Sequence, residues 1–313
     1  MADQEQADLL MASESSVTPT LSIVIVTHNV RALLRNCLES VFESQTPFQF
    51  EVIVVDTGLD GSAAMVRQEY AQFTRTLVID APENPGYAAA NNLGLRVASG
   101  RFLLLLNPDT VVTPDAFGRT VAALEADSSI GVLGPKLVRG NGELDLAGRR
   151  SFPTPRSALF HYLRLPKLFP GSALFGAYNL TYRDPDEEHD VDAVVGAYML
   201  VQREVLDQIG LLDETYWMYG EDLDLCWRAK RAGWRTRYFP AVRVLHLKGQ
   251  SSKTRSLRCT YWFYRSMYIF YRKHQAPTAP AAQNALVSAG IAVMGTIALV
   301  ADRLRPAERR RVS

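Results

Sequence analysis

An α/β fold is predicted, with a mostly parallel central sheet flanked by helices and a C-terminal helical extension. Three observations predict it. Short apolar, β-branched runs recur through the first hundred residues, segments of helical spacing separate them, and several runs stop at a polar cluster. The chain has 313 residues, is 47% hydrophobic and carries a formal net charge of +1, enough apolar content for a sizeable core and no charge bias towards nucleic acid.

Taken in order, residues 21–26 (LSIVIV) read as a buried strand ending at Thr27-His28-Asn29. Leu33, Leu34, Cys37, Leu38 and Val41 then recur at helical spacing. A second strand, 51–55 (EVIVV), ends at Asp56 and is followed by the turn residues Gly58, Asp60, Gly61 and Ser62. A helix over about 63–73 leads to a strand at 76–79. The loop Asn84-Pro85-Gly86 opens a helix over 88–98, and the strand 102–106 (FLLLL) stops at Asn107-Pro108-Asp109. Strands alternating with helices give a parallel sheet whose ligands bind beyond the carboxyl ends of the strands. Thr27 with Asn29, Asp56, and Asn107 with Asp109 all fall at such ends.

Residues 111–190, broken by Pro153, Pro155, Pro166, Pro170 and Pro185, are expected to run as loops over the sheet. A strand at 191–201 interrupted by Gly196, a helix near 204–209, a helix over 221–232 and two short closing strands at 235–238 and 242–246 complete the domain, placed at residues 20–245. Residues 1–19, acidic and without an apolar run, read as a disordered polar tail lacking the features of a signal or transit peptide. The three cysteines lie far apart, with no disulfide or zinc spacing, which fits a reducing cytoplasm.

Residues 246–313 form the extension. From His246 to His274 it holds seven basic residues (248, 253, 255, 258, 265, 272 and 273), no acid, and interleaved aromatics. That mixture suits phosphates or an anionic membrane surface, and a solvated basic helix face is the plain alternative. Residues 285–301 are uncharged and mostly apolar, close to the lower length limit for a membrane span. A packed or interfacial helix, an inserted helix and a loose tail all remain open.

Among the candidate site residues, Asp109 follows a buried strand and supplies a hard oxygen ligand suited to Mg²⁺ or Mn²⁺; its alternative role is to cap the following helix. Asp56 is placed to accept hydrogen bonds from a ribose or base, or to stabilise its own turn. Asp60 is the weaker of the two, because Asp-Gly is a routine turn signal. Glu221 and Asp222 are adjacent carboxylates at a helix start, behind Tyr216, Trp217 and Tyr219. One of them is placed to act as a general base, while helix-dipole complementarity is the simpler explanation. Asp224 reads as structural. His246, at the end of an apolar strand, becomes a metal ligand only if the sheet sets it beside Asp109.

Together these segments resemble glycosyltransferase family 2, and within it the rhamnosyltransferase-like bacterial enzymes. The resemblance covers most of residues 20–275: LSIVIVTHN, EVIVVDTGLDGS, NPGYAAANNLGL, FLLLLNPDT, VVGAYMLVQREV, MYGEDLDLCWRAKRAGWRTRYFP and VLHLKGQSS, in order. It implies a GT-A (nucleotide-diphospho-sugar transferase) fold and a single displacement that inverts the anomeric centre. It further implies that Asp56 contacts the nucleotide, that Asp109 stands at the position of the DxD metal ligand, that Asp222 is the base supported by Glu221, and that His246 is a further metal ligand. The donor-binding set is then Thr27, Asn29, Asp56, Asp60, Asn84, Gly86 and Asn107, and the acceptor-binding set Gly196, Trp217 and Tyr219. Thr57, Gly58 and Leu59 depart from the family's usual DNxSxDGS, and Asn107 replaces a carboxylate.

The resulting expectation is transfer of a sugar from a dTDP- or UDP-sugar donor, with L-rhamnose favoured by the resemblance. The acceptor would be a saccharide or lipid-linked molecule in cell-envelope or exopolysaccharide synthesis, with peripheral contact at the cytoplasmic face of the membrane and no nucleic-acid partner. A sugar-phosphate nucleotidyltransferase is the second enzyme class, but THNVRALL offers no Gly-rich basic phosphate loop. A non-catalytic membrane-peripheral scaffold of the same fold is the third reading.

Overall fold

A computed structural model describes residues 18–73, 75–247 and 257–304. Residues 1–17 of the expected polar tail, Lys248, Lys253 and Arg255, and the arginines beyond 304 lie outside the described residues.

The first half alternates as expected. β1 (Leu21–Thr27), α1 (Arg31–Phe42), β2 (Phe50–Asp56), α2 (Ser62–Glu69), β3 (Thr76–Asp80), α3 (Tyr87–Val97) and β4 (Phe102–Leu106) follow one another, and α2 ends earlier than its predicted reach to 73. β3, β2, β1 and β4 lie side by side and parallel. Strand alternation divides the core between the two faces. Leu21, Ile23, Ile25, Val52, Val54 and Leu104 pack under Leu34, Leu38 and Val41 of α1. Val24, Ile53, Val55, Leu103 and Leu105 face the other way, against Ala88, Ala90 and Leu95 of α3.

Residues 111–190 are more ordered than the loops expected of them. They contain α4 (Ala116–Ala126), the ten-residue β6 (Ile130–Arg139), the short helices α5 (Pro155–Tyr162) and α6 (Leu165–Leu168), and β7 (His189–Val191); the two-residue β5 (Thr110–Val111) precedes them. β6 is hidden in the sequence by its own breakers. Gly134 sits where a side chain would strike Val194, and Pro135 marks a shift of register against the neighbouring strand.

The expected strand at 191–201 is two strands. β7 ends at Val191, and β8 (Tyr198–Gln202) begins after the connector containing Gly196. β8 runs antiparallel between β4 and β6. α7 (Arg203–Ile209) and α8 (Glu221–Arg231) follow. The two predicted closing strands are one twelve-residue strand, β9 (Arg235–His246), whose pairing skips from Phe239 to Arg243 around Pro240. Proline has no N–H to offer the ladder, so a bulge there is the natural accommodation. The sheet order is β3-β2-β1-β4-β8-β6-β9-β5, with β7 also on β9, so the purely parallel half continues into a mixed half.

The C-terminal extension is helical: α9 (Leu257–Phe270), a π-turn (Tyr271–Gln275) and α10 (Ala281–Leu304). α10 is long and apolar enough to cross a membrane, and Gly295 and Asp302 are its buried residues.

Candidate active site

The polar clusters meet along the carboxyl edge of the sheet. Thr27 and Asp56 are direct partners across β1 and β2, and Leu106 pairs with Ile25, so Asn107 emerges beside them. Asp56 is buried, and its carboxylate is engaged by its own turn: Oδ1 accepts from the Gly58 N–H at 2.9 Å and Oδ2 from the Ala63 N–H at 2.8 Å. Asp60 fastens two helix starts, accepting from the Arg31 N–H at 2.8 Å and from the Ser62 hydroxyl at 2.6 Å. Burial opposes its charge, but these bonds hold its carboxyl below the ordinary range. Asn29 has a left-handed backbone and accepts from the Leu59 N–H at 2.8 Å. Thr27 Oγ1 is buried without a hydrogen-bond partner among the described residues.

Across the mouth, Asn84 Oδ1 accepts from the Gly86 N–H at 3.2 Å. Gly86 is needed as glycine: its φ is +100°, and a Cβ would stand 2.5 Å from the Trp217 ring. The next amide, Tyr87 N–H, donates to Trp217 O at 2.7 Å. The Tyr87 hydroxyl donates to Asn107 Oδ1 at 2.8 Å and lies 3.2 Å from the Gly196 carbonyl. Burial, then the charges of Glu221 and Asp222, pushes the Tyr87 phenol well above its usual value. Tyr87 therefore ties Asn107, at the carboxyl end of β4, to the Gly196 connector, and nothing in the local sequence singles it out.

Glu221 and Asp222 open α8 after Gly220, whose φ of +85° turns the chain sharply. Both are buried. Asp222 Oδ2 accepts from Arg150 Nη2 at 2.6 Å, and Arg150 Nη2 also donates to the Val194 carbonyl at 3.0 Å. Burial opposes the Arg150 charge, but Asp222 overcomes this and raises the guanidinium above its ordinary value. Glu221 Oε2 has no hydrogen-bond partner among the described residues. Burial first, then the charge of Asp222, raises its carboxyl to about 8. The two neighbours are thus distinguished by one arginine. Arg150 reaches them through an isolated bridge between residues 150 and 193, a pairing of distant loops with no signature in the sequence.

Asp109 and His246 do come together. β5 runs antiparallel to the end of β9, pairing Thr110 with His246, and the Leu247 N–H donates to Asp109 O at 2.8 Å. His246 Nε2 stands 3.4 Å from Asp109 Oδ1, while Nδ1 is 2.9 Å from Asp145 Oδ2. Burial works against a charged imidazole here, yet the two carboxylates outweigh it and push His246 up to about 9. Asp145 was not anticipated. The turn at residues 139–144 folds it back beside β9, and it also caps a short 3₁₀ turn at Leu146–Gly148.

A divalent cation would replace the Nε2 proton here, where a buried carboxylate stands beside an imidazole whose far nitrogen is oriented by a second carboxylate. Among the described residues no group of three or more His, Cys, Asp or Glu is placed to hold a metal.

Trp217 stacks on Trp262 of α9 at 5.3 Å, with the Arg258 guanidinium 4.2 Å from its ring centre, and Tyr219 meets Phe263 edge-on. Asp224 is structural, as expected: it accepts from Arg228 at 2.7 Å, Lys273 at 2.8 Å and His274 at 2.7 Å. Burial opposes its charge, but these donors hold the carboxyl far below the carboxylate range.

Comparison with known proteins agrees with this geometry. Residues 22–210 match the family model described as glycosyl transferase family 2. The chain is 28% identical over 266 residues to the N-acetylglucosaminyl-diphospho-decaprenol L-rhamnosyltransferase of Mycobacterium tuberculosis, covering 81% of this chain and 84% of that one. It is 25% identical over 240 residues to a low-salt glycan biosynthesis hexosyltransferase of Haloferax volcanii, covering 74% and 69%. In fold it is similar to a mannosyltransferase of Pyrobaculum calidifontis solved with GDP-Man and Mn²⁺, with a TM-score of 0.57, 16% identity and coverage of 92% and 74%. The fold is GT-A, and the chain belongs to glycosyl transferase family 2 as a glycosyltransferase.

Proposed function

We propose that the chain is an inverting glycosyltransferase that moves a sugar, L-rhamnose first among the donors, from a dTDP- or UDP-sugar to a hydroxyl of a saccharide or lipid-linked acceptor. The product would serve cell-envelope or exopolysaccharide synthesis at the cytoplasmic face of the membrane. The observation that carries this reading is the buried pair Glu221 and Asp222, with Arg150 on Asp222, together with Tyr87 on Asn107 at the carboxyl end of the sheet. The rhamnosyltransferase relative from Mycobacterium tuberculosis supports the choice of sugar and a polyprenyl-linked acceptor.

In this mechanism the acceptor hydroxyl attacks the anomeric carbon from the face opposite the diphosphate. Its proton passes to Asp222 as the new C–O bond forms and the bond to the diphosphate oxygen breaks. Arg150 fixes the direction of the Asp222 carboxylate. Glu221 stands beside it, its carboxyl raised by burial and then by the Asp222 charge. Thr27, Asn29, Asp56, Asn84, Gly86 and Asn107 frame the nucleotide side, with Asp60 holding their turn. Gly196, Trp217 and Tyr219 frame the acceptor side. Asp109 and His246 would hold Mg²⁺ or Mn²⁺, which supplies positive charge to the departing diphosphate.

A panel of nucleotide sugars with Mn²⁺ or Mg²⁺, read by thermal shift and then by transfer, tests the donor. Asp222→Asn should lower kcat on the order of 10²- to 10⁴-fold with donor binding preserved. A product that keeps the donor's anomeric configuration would overturn the single displacement.

A further inference from the structure

Away from the sheet edge, α9, the π-turn and α10 form an antiparallel hairpin with contacts along its length. The Thr260 hydroxyl donates to the buried Asp302, the Tyr264 ring lies against Gly295, and the Tyr271 hydroxyl donates to Asn284 Oδ1 at 2.8 Å. At about 100° per residue, Asn284, Gly295 and Asp302 fall within roughly 20° of one another on the helix. Leu286, Val293, Ile297, Val300 and Leu304 fall within about 60° on the diametrically opposite side. All five are more than half exposed, from 53% at Val300 to 78% at Leu304. One ridge of α10 is therefore committed to α9, and the opposite ridge is a continuous apolar strip.

The surroundings indicate what covers that strip. Residues 257–304 contain Arg258, Arg265, Arg272 and Arg303, besides Lys273, which Asp213 and Asp224 engage, against a single acid, Asp302, which is buried. An apolar ridge on a basic hairpin complements an anionic lipid surface, whereas a second copy of the hairpin would bring like charge to like. α9 is in turn fastened to the catalytic body. Trp262 stacks on Trp217, the Ser266 hydroxyl donates to Met218 O at 2.9 Å, and Phe270 is buried in the core beside Trp227. At about 36 Å, α10 is long enough to cross a bilayer. Crossing would, however, drag the Asp302–Thr260 pair, α9 and the attached body into hydrocarbon, or else break the hairpin's contacts.

We propose that α10 lies in the plane of an anionic membrane surface with its outer ridge among the acyl chains, and that the hairpin thereby holds residues 216–220 at the lipid face. This rests on the reading of a lipid-linked acceptor: the lipid stays in the bilayer while its saccharide hydroxyl reaches Asp222.

The test uses the full chain and vesicles of equal parts phosphatidylcholine and phosphatidylglycerol. Wild type should float with the vesicles, bind pure phosphatidylcholine more weakly, and be released by alkaline carbonate. Ile297→Glu with Val300→Glu should reduce flotation about tenfold or more, while Ile297→Leu with Val300→Leu should retain it. Equal flotation of the Glu variant, or no flotation of wild type, overturns the proposal. Carbonate-resistant wild type overturns it in favour of a crossing helix. A Glu variant that loses self-association but not flotation overturns it in favour of a second copy. Donor hydrolysis in vesicle-free buffer is read separately; its absence in wild type counts against the transferase reading and leaves the lipid result standing.

Discussion

Arg150 makes two adjacent carboxylates unequal. Its bond to Asp222 is buried on both sides, with side-chain exposures of 10% and 8%. Removing one member of such a pair strands the other, at a cost of about 3–5 kcal/mol. Arg150→Met should therefore lower the urea midpoint strongly and reduce kcat, with Arg150→Lys recovering part of both. Glu221 behaves in the opposite manner. Its folded carboxyl is raised to about 8, above its value in the unfolded chain, so between roughly pH 4.5 and 8 the folded state binds more protons than the unfolded state. Stability should fall across that window as pH rises. Glu221→Gln should flatten this part of the profile in urea titrations at successive pH values, with its advantage over wild type growing towards pH 8. At the other end of the site, Asp145 orients His246 through Nδ1. Asp145→Asn should weaken the apparent Mn²⁺ affinity in the transfer assay by about 10- to 100-fold, with saturating Mn²⁺ restoring much of the rate.

Among the elements, α8 does the most joining. Its first turn carries Glu221 and Asp222, and in the same turn Asp224 binds Arg228 of the same helix together with Lys273 and His274 of the extension. The helix that carries the proposed base is thus clamped by the segment that leads into α10. Asp224→Ala leaves three cationic or polar donors around an empty position and should cost about 3–5 kcal/mol. The comparison that isolates the clamp is unfolding of Asp224→Ala against Lys273→Ala, whose side chain is 38% exposed and whose loss should cost much less.

At the scale of the molecule, the sheet collects the site and the extension gives it a direction. The carboxyl ends of β1, β2 and β4 gather the proposed donor-binding residues, and β5 against β9 brings Asp109 to His246. α9 abuts Trp217 and Tyr219, so the proposed acceptor side adjoins the helix on which α10 packs. A bound donor stabilises the whole fold by mass action. At a hundredfold excess over Kd, the correct nucleotide sugar should add about 2.7 kcal/mol to unfolding, readable as a rise in Tm that the wrong sugars do not produce.

The amino-acid sequence by itself determined the alternating half of the fold, the ends of β1, β2 and β4, the acidic start of α8 and the family. These features are written in local periodicity and in short motifs, and each is complete within about a dozen residues. β6 escaped because its glycines and proline mimic loop signals while serving close packing and a register shift. Only the tertiary structure decided that His246 stands beside Asp109, that Asp145 backs His246, that Arg150 separates Asp222 from Glu221, and that one ridge of α10 is left bare. Each joins residues distant in the chain or depends on which helix face is covered. Such facts follow from strand pairing and packing, which no local spacing encodes.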